Sequence, residues 1–369
     1  MPTHPIRIFS YWAALFSLIF LPGCGNFFVS ESGGGGGAGT SSRFAYVANG
    51  SAGAAGSVSA YSINVFTGAL TQISGSPFSA GTGVQSIALD PTSKFLFVTN
   101  LSGVSVFTIS TDGALTQVAG SPFSAGTGAI SVVVEPAGKF VYVANNSSSD
   151  VSAFSLNAST GGLTPLTSSP FSTLIGPRQI AVDPAGKFAY VAAGGSGIAI
   201  LKINADGSVS PVGTVTSTGT LSSIAIDPSG KFAYATDSVN GVLAFTVNSS
   251  TGLLSQIGTS GTSAGTNPVA VTVDPSSRFV YVANQNSNNV SGFSILSNGS
   301  VTPLSGSPVA TGTAPVSVNV DSSDKVVYVA NSGSNNVTAL SIDTNVPGKL
   351  NTIGTASAGN GPVSVVTTK

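Results

Sequence analysis

The chain has 369 residues, 12 Lys and Arg against 13 Asp and Glu, one His and one Cys, and a formal charge of −1. Charged residues make up 7% of it and form no basic block, which excludes recruitment of nucleic acid or anionic lipid by a linear basic patch. A single Cys excludes an intramolecular disulfide, and abundant Gly, Ser, Thr and Val point to many short strands joined by tight turns.

The N-terminus reads as an export signal. "MPTHPIR" is basic through Arg7, and Ile8 to Leu21 is apolar. That run falls short of the roughly 20 residues a transmembrane helix needs and suits a signal-peptide core. It ends in "LPGC", where a small residue directly before Cys24 resembles a bacterial lipobox, with Pro22 an unusual occupant of its middle. The expectation is a lipoprotein signal peptide over 1–23, then an acylated Cys24. Gly25 in place of Asp favours the outer membrane of a bacterial cell envelope. Residues 24–42 form a Gly/Ser-rich tether with five consecutive glycines, whose reach over 18 residues is roughly 23 Å. Removing the signal removes His4, the only histidine.

From residue 43 the chain repeats. A basic residue precedes a strand at Arg43, Lys94, Lys139, Lys187, Lys231, Arg278 and Lys325, at spacings of 51, 45, 48, 44, 47 and 47. The strands read "FAYVAN", "FLFVTN", "FVYVAN", "FAYVAA", "FAYATD", "FVYVAN" and "VVYVAN". A period in the forties with strand content indicates four-stranded propeller blades. Each unit has an inner strand such as "QIAV" and a turn such as "DPAGK", whose acid, Pro and Gly fit a type I turn. The "YVAN" strand and a third strand follow, then a Gly-containing hairpin such as "STGGL", a fourth strand, and a loop, often "GSPFSAGTG". The first unit lacks an inner strand, while the tail "GPVSVVTTK" is a spare one aligned with "APVSVNVD". The prediction for 43–369 is an all-β, seven-bladed β-propeller of four-stranded blades, closed by the C-terminal strand joining the N-terminal blade, which leaves no open sheet edge.

"GPRQIAVDPAGKFAYVA" and its copies resemble the lactonase-type seven-bladed propellers, 6-phosphogluconolactonase-like and related to the "YVTN" repeat proteins. The resemblance implies the propeller fold and, as a possible activity of the family, lactone hydrolysis.

The uniform turns share one face of such a ring and the variable loops the other, so a binding site belongs beside the loops at the channel mouth. The residues expected there are Gln85, Ile130, Arg178, Ser222, Val269, Val316 and Val363, then Ser86, Ser131, Gln179, Ser223, Ala270, Ser317 and Ser364. Similar lactonases carry "PRH" where this chain has "PRQ", so Gln179 replaces a proton-transfer group. The turn acids read as backbone caps, and the repeated tyrosines as core between blades. Asp237, in place of the usual Asn of the "YATD" strand, and Asp150 lie on the loop face, and an Arg178–Asp237 pair is a candidate for binding or catalysis against the plainer reading of a salt bridge or no contact. Candidate ligand-binding residues are therefore Arg178, Gln179, Gln85, Asp150 and Asp237; no metal site and no cofactor is expected. This set favours a membrane-tethered monomer, anchored at Cys24, that binds a protein or polysaccharide and not nucleic acid. The alternative is a lactone hydrolase using Arg178 to orient an anionic lactone, and a spacer without ligand is the third class.

Overall fold

The computed structural model describes residues 43–50 and 55–369; Cys24, the signal peptide and the tether lie outside the described residues. Seven antiparallel sheets follow one another, and no helix occurs among the described residues. Blade 2 has the pattern most plainly, with strands Ser86–Leu89, Phe95–Asn100, Gly103–Ile109 and Leu115–Gln117. Blade 1 takes its inner strand from the far end of the chain: Pro362–Thr367 pairs with Arg43–Asn49, with Val47 opposite Val365. Thr368 exchanges hydrogen bonds with Phe44, its Oγ1 accepting the Phe44 N–H and its own N–H reaching the Phe44 carbonyl, both at 2.9 Å. Arg43 adds an ion pair to the buried Asp321 of blade 7.

The turn acids are backbone caps. Asp183 accepts the N–H groups of Lys187 and Phe188 at 2.6 and 2.7 Å, and Asp90, Glu135, Asp227, Asp274 and Asp321 repeat the arrangement. All six are buried, which an unpaired carboxylate would not tolerate.

What fixes one blade against the next is a pair of contacts repeated around the ring. The tyrosine of each second strand donates its hydroxyl to the carbonyl of the hairpin glycine in the following blade: Tyr46 to Gly113, Tyr142 to Gly207, Tyr190 to Gly252, Tyr234 to Gly299, Tyr281 to Gly348 and Tyr328 to Gly68, all between 2.8 and 3.0 Å. Burial pushes each of these phenol pKa values up, so they remain neutral donors. The residue that opens the same strand, Phe in every case but Val326 of blade 7, packs on the same glycine. A Cβ on Gly207, which has φ of +83°, would stand 2.3 Å from the Phe140 ring. Both contacts account for the glycine: no other residue adopts that φ without strain or lets the ring approach so closely. Blade 2 carries Phe97 at the tyrosine position and forgoes the hydroxyl.

The "GSPF" segments are not plain loops. Beyond cis Ser76–Pro77, Phe78–Thr82 returns to pair with the third strand of blade 1, and Phe171–Ser172 and Val309–Ala310 do so in blades 3 and 6. The preceding serine explains the return, because its Oγ accepts a third-strand N–H, Ser169 from Ala153 at 2.9 Å.

Tyr142→Phe is expected to lower unfolding stability by about 1 kcal/mol and Phe97→Tyr, by supplying the missing donor to Gly161, to raise it by about 0.5–1 kcal/mol. Gly207→Ala is expected to cost about 2–4 kcal/mol through strain and overpacking. Urea midpoints check all three, and a loss on Phe97→Tyr would show that the Gly161 carbonyl is out of reach.

Candidate functional site

The seven inner strands enclose a central cavity of about 490 Å³, and both rings of residues expected at its mouth line it. Arg178 is the only charged residue on its wall; the other polar side chains there are Ser, Thr, Gln and Asn.

The second ring couples blades. Ser86, Ser131, Ser223 and Ser317 each accept, through Oγ, a backbone N–H of the next blade's inner strand, from Val132, Ile180, Val271 and Val365 at 3.1 to 3.4 Å. Gln179 does the same with a longer arm, its Oε1 accepting the Ile224 N–H at 2.5 Å. This fixes the amide: with Oε1 engaged, Nε2 is left as a donor on the cavity wall, and it has no acceptor among the described residues. Gln179 is therefore a placed hydrogen-bond donor on the wall that Arg178 also lines.

Arg178 owes its position to its neighbours. Pro177 is buried and its carbonyl accepts Asn146 Nδ2 at 2.8 Å, while the Arg178 N–H bonds the Ala192 carbonyl at 2.8 Å. A Cβ on Gly194 would lie 3.6 Å from Arg178 Nε, so this glycine lies beside the guanidinium. In blade 4 the second strand ends "YVAA" where most blades have "YVAN", so Ala193 stands in place of the polar Asn just before Gly194. Gln85 is exposed at the mouth across the ring.

Asp237 and Asp150 are elsewhere. Asp237 is fully buried; its Oδ1 accepts the N–H groups of Val239 and Asn240 at 2.8 Å and Asn240 Nδ2 at 3.1 Å, and its Oδ2 accepts the Ser217 hydroxyl. It is absent from the cavity wall and makes no ion pair with Arg178; the ion pairs among the described residues are Arg43–Asp321 and those of Arg278 with Asp274 and Asp324. The candidate Arg178–Asp237 pair is thus not formed, and the plainer reading of no contact holds. The physical reason is that a carboxylate at the end of the second strand meets the N–H groups of its own turn first. Asp150 Oδ1 likewise accepts Asn145 Nδ2 at 2.6 Å, the place Asn289 and Asn336 fill in blades 6 and 7. Among the described residues no three His, Cys, Asp or Glu gather as a metal site would require.

A closed seven-bladed ring around a polar cavity with a single cation on its wall defines the class of a seven-bladed β-propeller. The chain belongs to the lactonase, 7-bladed beta-propeller family, whose model matches residues 38–310. The seventh blade, Pro315–Ser357, lies beyond that match. Solved structures share the fold: a putative 6-phosphogluconolactonase from Bacteroides fragilis (19% identity, 89% of this chain, 99% of that one, TM-score 0.75) and another from Bacteroides uniformis (18%, 89%, 100%, 0.75). The periplasmic gluconolactonase of Pseudomonas aeruginosa is similar too (18%, 89%, 99%, 0.72). No curated protein matches this chain.

Burial works to raise the Asp237 pKa, and the hydrogen bonds from Ser217, Asn240 and Val239 outweigh it, holding the carboxyl below its ordinary value. A depressed folded-state pKa contributes stability that is complete above about pH 4 and is lost as pH falls through the folded value. Asp237→Asn should flatten stability below pH 4, while Asp237→Ala should cost about 1–3 kcal/mol by stranding buried donors. Both effects are read from urea midpoints against pH, and an unchanged acid limb in Asp237→Asn would show that this carboxyl is not held below its ordinary value.

Proposed function

We propose that the channel mouth takes an anionic lactone and promotes its hydrolysis. One observation carries the reading: Arg178 and Gln179, whose Nε2 is left as a donor, both line a cavity that has no other charge on its wall. Family membership supports the reaction class. Water adds to the ester carbonyl, the carbonyl oxygen becomes an oxyanion, and collapse breaks the bond to the ring oxygen, which leaves with a proton from solvent. Arg178 and Gln179 supply the donors that such an oxyanion or the substrate's own anionic group needs, an effect worth about 10²–10³ in rate. The wall offers no carboxylate, imidazole or amine to take the proton from water, so the additional 10²–10⁴ of general-base catalysis is forgone.

The expected profile follows. Hydrolysis of phosphorylated or carboxylated lactones is slow, rises with hydroxide concentration and shows no bell between pH 6 and 8. Arg178→Ala should abolish the acceleration and Gln179→Leu should reduce it about tenfold, both read by pH-stat with lactone panels. A bell-shaped profile, or full activity in Arg178→Ala, would sink the assignment.

A second reading, binding of a protein or polysaccharide without turnover, draws on Leu101, Ile175 and Val239, which are 69%, 77% and 72% exposed on the loop face. It gains if no lactone is hydrolysed and one partner is lost on Ile175→Asp.

Export and acylation at Cys24 complete the proposal. Labelling cells with an alkynyl fatty acid should mark the wild-type chain and not Cys24→Ser, with the wild type in the membrane fraction; an unlabelled wild type removes the anchor.

A further inference from the structure

We propose that the turn-lined face of the ring rests on a lipid surface, so that the channel mouth and Arg178 point away from the membrane. The inference goes beyond the lactone reading and rests on the anchor at Cys24.

The topology gives the first argument. Arg43–Asn49 is the second strand of its blade, and second strands start at the turn face, as Phe95–Asn100 does after the turn at Asp90. The described chain therefore enters the ring at that face, through Arg43. The reach of roughly 23 Å expected of the 18 residues between Cys24 and Arg43 is about the length of a strand of six or seven residues. Laying the loop face on the same membrane would need the tether to cross the ring's height and its radius as well.

The second argument is the surface itself. The hairpins between third and fourth strands also lie on this face, and in four successive blades, 5, 6, 7 and 1, they carry Leu253, Leu296, Val346 and Phe66, exposed by 44%, 44%, 42% and 92%. Exposed apolar residues scattered singly mean little, but these stand, at differing positions, in the same hairpin of successive blades along one arc that ends at the blade where the chain enters. In blades 2 and 4 the corresponding tips carry Asp112 and Asp206.

Charge is the third. Among the described residues every Lys and Arg except Arg178 lies on or next to the turn face. The six turn acids beside them are buried and bonded to backbone N–H groups, and Arg43 and Arg278 are paired with Asp321, Asp274 and Asp324, so the cations left to project are lysines, which outnumber the exposed Asp112, Asp206 and Asp343. The sequence shows no basic patch because the seven basic residues that precede second strands stand 44 to 51 positions apart; the ring gathers them. Attachment through the tether makes contact between face and bilayer an intramolecular event, for which weak apolar and ionic contacts suffice.

Cys24 is the only Cys, so once it is acylated an introduced thiol is unique. The full-length lipidated chain with Phe66→Cys or Ile175→Cys, each labelled with a nitroxide and bound to vesicles of dioleoyl phosphatidylcholine and phosphatidylglycerol (3:1), reports accessibility to an aqueous relaxing agent. The expected result is at least threefold shielding at position 66 on vesicles and none at 175, with Lys231→Glu and Lys325→Glu together relieving it. Equal accessibility at both sites, shielding at 175, or shielding at 66 without vesicles that grows with protein concentration (a second copy covering the face) would each overturn the proposal. A chain that remains in the aqueous phase overturns it together with the anchor, whereas a vesicle-bound chain with position 66 exposed overturns the orientation alone.

Discussion

The hydrogen bond from a buried tyrosine hydroxyl to the hairpin glycine of the next blade is the constraint on which the rest of this molecule depends. A blade is a twisted sheet with two faces to cover, and aliphatic packing alone lets neighbouring sheets slide. The Tyr–Gly bond and the aromatic ring laid on the same glycine set the offset between blades at one point, and repetition sets it around the circle. Six such bonds at about 1 kcal/mol each are comparable with the whole net stability of a folded domain. The last, from Tyr328 to Gly68, joins blade 7 to blade 1 and acts with the terminal strand in closing the ring.

A ring held from its periphery leaves its centre open, and the same logic of coupling by hydrogen bonds continues there. The serines of the inner strands bridge adjacent blades, so most of the hydroxyls that face the cavity are already engaged. Gln179 takes over a serine's task, and because an amide has both an acceptor and donors, it performs that task and still offers Nε2 to the cavity. Arg178 lies next to it, with small residues in blade 4 giving it room. Two repeat positions depart from the pattern here: a long amide for a hydroxyl, and Ala193 for the Asn or Asp that ends the other second strands.

The fold was legible because each blade has the same local requirements. Glycine at the hairpin, an acid at the turn, and tyrosine or phenylalanine in the second strand recur wherever the geometry recurs, and the spare strand at "GPVSVVTTK" matched the missing one before Arg43. Reading the turn acids as caps and the tyrosines as core succeeded for the same reason. The site was legible in part. Arg178 and Gln179 fell on the cavity because inner-strand register is fixed by alternation, but the pairing of Arg178 with Asp237 did not hold. Which of several N–H groups and cations a carboxylate meets depends on a turn two or three residues away, and Asp237 is enclosed by Ser217, Val239 and Asn240.

The sequence by itself determined the number of blades, their order, the closure by the two ends and the scarcity of titratable groups, because those follow from periodicity and composition. Only the tertiary structure decided that Gln179 is held as a donor, that Asp150 and Asp237 serve their own loops, and that lysines some forty-seven residues apart share one face. Those outcomes depend on distances across blades, and a chain folded into a circle brings together residues that no local pattern relates.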